Sequence, residues 1–255
     1  MYWQDRMAQA QDNLTKKNIE EINKQIALYY KKSMERVIKD FENVYDKVLL
    51  RAADGKITPA DLYKLDAYWK MQGALREELQ KLGDKQSILL SRKFEKEFKE
   101  IYNSIVLPSQ AAYSTISKEM ITQMVNQIWA ADGLSWSERI WKNTEQLAET
   151  LNDELLHCVV TGKQPRYLKE ALQKRFGVSF NRADALVRTE LAHIQTQAAQ
   201  QRYVDAGIKE VMVWADKDER RCEVCGRLHK TKYPVGAAMP IPAHPRCRCC
   251  IIPVI

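Results

Sequence analysis

Residues 19–48 read IEEINKQIALYYKKSMERVIKDFENVYDKV, and their spacing decides the fold class. Apolar side chains stand at Ile19, Ile22, Ile26, Tyr30, Met34, Val37, Phe41, Val44 and Val48. Steps of three and four draw one stripe along a helix, whereas a strand would alternate by two. Three successive fours around Tyr30 make a stutter, which locally unwinds any supercoil. A helix of this length cannot stand alone, so the stripe predicts a long bundle helix packed on neighbours.

Outward from that stripe, AADGKITPADLYKLD breaks the helix and starts the next. Thr58 suits a cap, Pro59 the first helical position, and Asp61 the acid of a capping box. A second helix is expected to about Leu82, ending at Gly83. A third runs from Asp84 through Phe94, Phe98, Ile101 and Ile105, and Pro108 bends or ends it. SQAAYSTISKEMITQMVNQIW reads as helical up to Asp132-Gly133. Ser135 and Glu138 open another helix that closes at Gly162, and RYLKEALQKRFG makes a short one. Asn181 then caps a helix that Gly207 terminates. Beyond it KEVMVWAD reads as a strand.

The expected architecture is mainly α, with long N-terminal helices in an extended bundle and a small C-terminal α+β domain resembling a zinc knuckle. The expected division is 1–132 as an extended helical region, 133–180 as a helical adaptor, and 181–255 as the α+β domain.

The chain has 255 residues, 45% hydrophobic and 29% charged, as in ordinary folded proteins rather than disordered ones. No basic-then-apolar leader opens the sequence and no run approaches a membrane span, so folding in a reducing cytosol is expected. A net charge of +7 would attract a polyanion such as a nucleic-acid backbone.

Five of the six cysteines fall between Cys222 and Cys250. The spacing is C-x2-C, eighteen residues, then H-x2-C-x-C-C. Cys222 and Cys225 can grip an ion from one tight turn, and His244 and Cys247 repeat the x2 spacing. Four nitrogen and sulfur donors satisfy tetrahedral zinc in a structural site. Cys249 is the alternative to Cys247 as fourth ligand. His229 is a further donor that reads as a surface loop residue, Cys250 as a packed thiol, and Cys158 as an ordinary helix residue. A disulfide set is the competing reading should the protein leave the cell. A thioredoxin-like centre does not fit, because Cys222 does not open a helix within a βαβ unit.

An enzyme is not expected. His193 sits mid-helix and reads as a satisfied helix residue. No G-x-S-x-G, H-E-x-x-H or Walker-type loop occurs.

The C-terminal third, about Asn181 to Pro253, resembles the tailed-phage minor capsid, or head-morphogenesis, family of the phage Mu F type. Asp218, Arg220, Cys222 and Cys225 match its D-x-R-x-C-x-x-C element. His244, Pro245, Cys247, Arg248 and Cys249 match H-P-x-C-R-C. Arg188-Thr189-Glu190 and Trp214 also fit. Lys230 departs from the pattern, since glycine is expected after the Leu228 turn.

The resemblance implies a non-enzymatic minor head protein bound at the portal vertex, inside the virion after assembly in the host cytoplasm. It implies roles in procapsid assembly and in genome packaging or ejection. The portal protein is the implied partner, with scaffold or major capsid protein and double-stranded DNA as further candidates, and no membrane at assembly. It favours a structural charge network of Arg188, Glu190, Asp218 and Arg220 around a zinc site. The alternative class is a zinc-knuckle nucleic-acid-binding regulator or nuclease.

Overall fold

The computed structural model describes residues 3–50, 58–107, 115–215 and 221–255. It is mainly helical: α1 (Trp3–Leu49), α2 (Pro59–Tyr63), α3 (Asp66–Ser104), α4 (Lys118–Val125), α5 (Trp136–Thr161) and α6 (Pro165–Asp205) precede β1 (Glu210–Trp214). A short α7 (Glu223–Leu228), β2 (Lys232–Pro234) and β3 (Cys250–Pro253) follow. Two compact units form, each from non-contiguous segments. A helical unit takes Lys24–Ile88 and Ser137–Ala183, and a sheet unit takes Met1–Asn23, Leu89–Trp136 and Asp184–Ile255.

The helical unit follows the stripe. Ile26, Tyr30, Val37, Phe41, Val44 and Val48 of α1 are buried, as are Leu75, Leu79 and Leu82 of α3 and Leu147, Leu151 and Leu155 of α5. The stutter has a local consequence. Three steps of four overrun the 3.6-residue turn by about one residue, and Ser33 rather than Met34 becomes the buried position. Ser33 donates to Glu78 Oε1 at 2.7 Å, and Arg36 pairs with Glu78 Oε2 at 2.9 Å. Tyr30 lies against Phe180 edge-on at 5.6 Å, and its hydroxyl accepts from Asn143 Nδ2 at 3.0 Å.

Two expected helix ends do not occur. α3 runs through Gly83 without a break. That glycine serves a close approach instead, since an added Cβ would come within 2.8 Å of Trp141 Cη2. Likewise α6 passes Gly177 and Asn181 as one helix. Leu168, Leu172, Phe176, Ala183, Val187 and Leu191 stay buried in helical register, and that packing outweighs a glycine penalty of about 1 kcal/mol. The helix expected up to Asp132 is shorter, because α4 ends at Val125. Pro108 and residues 109–114 lie outside the described residues.

Other signals fall where expected. Thr58 donates through its N–H and its hydroxyl to Asp61 Oδ2, at 3.0 and 2.7 Å. α5 closes at Gly162 and α6 just before Gly207, both in left-handed backbone (φ 59° and 71°).

In the sheet unit, β1 is the central strand of an antiparallel sheet ordered β2-β1-β3. Val211 faces Tyr233 on one side, and Val213 faces Ile251 on the other. Trp214, Cys250 and Ile252 form a buried cluster against Met7 and Ala8 of α1. Tyr203 of α6 donates to the Ile251 carbonyl at 3.2 Å.

The interior face of α1 in this unit is polar as well as apolar. Thr15 donates to Glu97 Oε1 at 2.5 Å, and Asn18 Nδ2 donates to Glu97 Oε2 and to Glu100 Oε2. Gln195 Nε2 of α6 donates to Gln11 Oε1 at 3.2 Å. Glu97 is fully buried, and burial pushes its carboxyl above the ordinary range despite the Thr15 and Asn18 donors.

Candidate metal centre

The C-x2-C pair is built by a helix start. Cys222 is the N-cap of α7, in extended backbone, and its Sγ accepts the Cys225 N–H at 3.4 Å. One turn on, Cys225 is buried and points its sulfur back to the same place. The second pair arrives on the turn before β3. His244 Nε2 lies 3.3 Å from Cys222 Sγ and 3.1 Å from Cys225 Sγ, and Cys247 Sγ lies 3.8 Å from Cys225 Sγ.

Two three-donor groups thus converge, Cys222–Cys225–His244 and Cys225–Cys247–Cys249, each within 4.8 Å and sharing Cys225. Tetrahedral zinc with ordinary bond lengths sets sulfurs about 3.8 Å apart, and sulfur from nitrogen about 3.6 Å. Each group offers the donor types of such an ion, with the Cys225–Cys247 sulfurs at that spacing and the His244 nitrogen somewhat closer, so the Cys-rich cluster can hold a metal. Its five donors are the five that the spacing singles out.

The surroundings prepare the donors. His244 Nδ1 sits 2.8 Å from the Pro245 carbonyl, so the proton belongs on Nδ1 and the Nε2 lone pair faces the sulfurs. The same carbonyl raises the imidazole's pKa. The Cys225 N–H holds the Cys222 thiol below its usual value. Hydrogen bonding from the Cys249 thiol lowers Cys247 to about 5, while that interaction and burial push Cys249 up. Burial lifts Cys225 to about 12. Before an ion arrives Cys225 therefore holds its proton, and capture of an ion through that sulfur releases it.

The remaining candidates sit elsewhere. His229 is tied to the sheet, where Nδ1 accepts the Ala215 N–H at 3.2 Å and the ring meets Trp214 edge-on at 4.8 Å. Cys250 is buried on β3 opposite Trp214 of β1, and buried Cys158 lies in α5 with its thiol raised to about 11. Lys230, the departure from the family pattern, adopts a φ of 66°. That conformation explains the expected glycine. Here the side chain has its own use, with Nζ 5.7 Å from the centre of the Trp214 ring.

Of the charge network, Arg188 pairs with Asp184 at 2.8 Å. Buried Glu190 accepts from Trp129 Nε1 at 2.9 Å. Asp218 and Arg220 lie outside the described residues. Sequence reasoning missed Asp184 and Arg246, joined by an ion pair of 2.8 Å; no spacing rule links positions so far apart. It also misread His193. The ring stacks on Trp129 at 4.3 Å, but Nε2 is buried with no hydrogen-bond partner among the described residues. Burial lowers its pKa to about 4.

The described residues thus combine a long helix, a small antiparallel sheet and a Cys/His cluster able to hold a metal ion, which defines the class of metal-capable α+β modules. Residues 149–252 match the family described as Phage Mu protein F like protein, the family whose elements the sequence displays. The match takes in all five donors and Arg188-Thr189-Glu190. It implies a part in phage head morphogenesis as a minor capsid protein, hence a virion component. No curated protein and no solved structure matches the chain. Among the described residues no helix is long and apolar enough to cross a membrane.

Proposed function

We propose that this protein is a non-enzymatic minor head protein that binds the portal vertex and acts in procapsid assembly, with zinc as a structural ion. The observation that carries the reading is coincidence: the family match spans the residues that build the donor cluster. In this reading Cys222, Cys225, His244 and Cys247 fill the zinc shell, which leaves no open position for a reacting water. Cys249 holds Cys247 as a hydrogen-bond donor. The ion's role is cohesion, because α7, β2 and β3 are too short to persist unaided.

Portal protein is the proposed partner, with scaffold or major capsid protein beside it. The net charge of +7 suits packaged double-stranded DNA, and with it a part in packaging or ejection. Mass spectrometry of purified particles tests the reading: the chain is expected in them at few copies. Imaging of the portal vertex without imposed symmetry should then find it there. Absence from particles, or metal-dependent cleavage of DNA by the purified protein, would favour the regulator or nuclease instead.

A further inference from the structure

The turn that carries His244 and Cys247 is strained at its centre. The Cys247 N–H donates to the His244 carbonyl at 3.2 Å, closing a four-residue turn with Pro245 second and Arg246 third. Arg246 has a φ of 63°. Proline second and a left-handed third residue are the pattern of a type II turn, whose third position favours glycine. Arginine there needs something to hold it.

Its surroundings supply that hold. The Arg246 N–H donates to Thr189 Oγ1 at 3.1 Å, and its guanidinium meets Asp184 Oδ2 at 2.8 Å. Both anchors are themselves fixed. The Thr189 hydroxyl donates to the Ala185 carbonyl at 2.7 Å, which leaves a lone pair for Arg246. Asp184 Oδ1 accepts from Arg188 Nε at 2.8 Å and from Asn23 Nδ2 at 2.5 Å. The central residue of the ligand turn is thus clamped to α6 through backbone and side chain together.

We propose that Asp184 and Thr189 are positioning residues of the metal centre: they hold Arg246 left-handed, so that the flanking His244 and Cys247 meet Cys225. The proposal rests on the reading of the Cys/His cluster as a metal site. By linkage, ion binding and the seating of this turn on α6 strengthen each other.

The test is zinc affinity of the full chain, measured by competition with a chelating dye. Asp184→Asn and Thr189→Val are each expected to weaken zinc about tenfold, as loss of outer-shell partners does elsewhere. Thr189→Ser, which keeps the hydroxyl, should bind as the parent does. Arg246→Gly should stay within about threefold of the parent, because glycine takes this φ unaided. In that background Asp184→Asn should have no further effect, a silence that a general structural role would not produce.

Parent-like affinity in both Asp184→Asn and Thr189→Val would overturn the proposal. So would an equal loss from Asp184→Asn with glycine at 246. Should Asp184→Asn fail to fold, the Thr189 pair decides by the same criteria. A parent protein that binds no zinc would sink the metal reading and this proposal together, whereas tight parent binding with unaffected variants sinks the proposal alone.

Discussion

On the interior face of α1, the helical unit buries Ile26, Tyr30, Val37, Phe41 and Val44, whereas the sheet unit buries Gln11, Thr15 and Asn18 beside Ile19 and Ile22. One helix is therefore held in two ways. In the helical unit cohesion is mostly apolar area and close approach, which is non-directional and tolerant. In the sheet unit an apolar core that includes Phe94, Phe98 and Ile101 is joined by buried polar groups and by donors converging at the cluster, which are directional and fail when one partner is removed. Asn18 Oδ1 is buried without a partner among the described residues, so the polar seam is incompletely satisfied. Directional cohesion concentrates stability in few residues, and those residues offer ways to break the contrast.

The largest effect is expected from Cys225→Ser, since Cys225 belongs to both donor groups. Ion binding in small zinc modules is worth on the order of 10 kcal/mol, so residues 222–253 should lose hydrogen-exchange protection while 24–49 keep theirs. Equal loss in both units would refute the contrast.

Acid comes next. An imidazole held at about 4 in the fold, against about 6.5 unfolded, binds fewer protons folded than unfolded between those values. Its stability contribution is present above pH 6.5 and lost as pH falls to 4, about 3 kcal/mol in all. In the helical unit Glu78 goes the other way. Against the burial that raises it, Ser33 and Arg36 hold its carboxylate low, so that contribution fades only below about pH 4.5. Unfolding between pH 7 and 5 should therefore affect the sheet unit selectively, and His193→Phe should flatten the difference. Both proteins share the ligand titrations, so the comparison isolates the imidazole.

Gly83→Val drives a branched side chain into Trp141 and should destabilise the helical unit by about 2 kcal/mol, read by urea denaturation. Smallest is Glu97→Gln. A carboxyl whose pKa is raised by folding loses stability as pH rises through and above the ordinary value near 4.5. The amide should therefore stabilise the sheet unit by about 1 kcal/mol at pH 7, a gain that shrinks towards pH 4.5. The new amide can keep its oxygen on the Asn18 donor while its nitrogen donates to Thr15 Oγ1, whose hydroxyl turns to Gln195 Oε1 at 3.2 Å.

What the sequence revealed follows the same division. The stripe of α1 was legible because apolar burial repeats at the helical period, and the Cys/His spacing because ligands of one ion must come in short pairs. Gly83 misled because a glycine that ends a helix and one that admits a neighbour look alike until the neighbour is known, whereas Gly177 has open space beside it and is carried through by the buried register of α6. Trp141 is that neighbour for Gly83, and it lies 58 positions away. Asp184, Thr189 and Arg246 were illegible as a set for the same reason. Their association depends on the turn returning to α6, and nothing local encodes that return.

The strand order β2-β1-β3 sets a sequence of events during synthesis. Residues 210–214, at the middle of the sheet, emerge from the ribosome before either flanking strand does. For that interval both edges of an apolar strand are bare, the condition under which nascent chains stick to one another. A ribosome that stalls before residue 250 would release a product that cannot cover one of those edges, and such fragments should be found in the insoluble fraction.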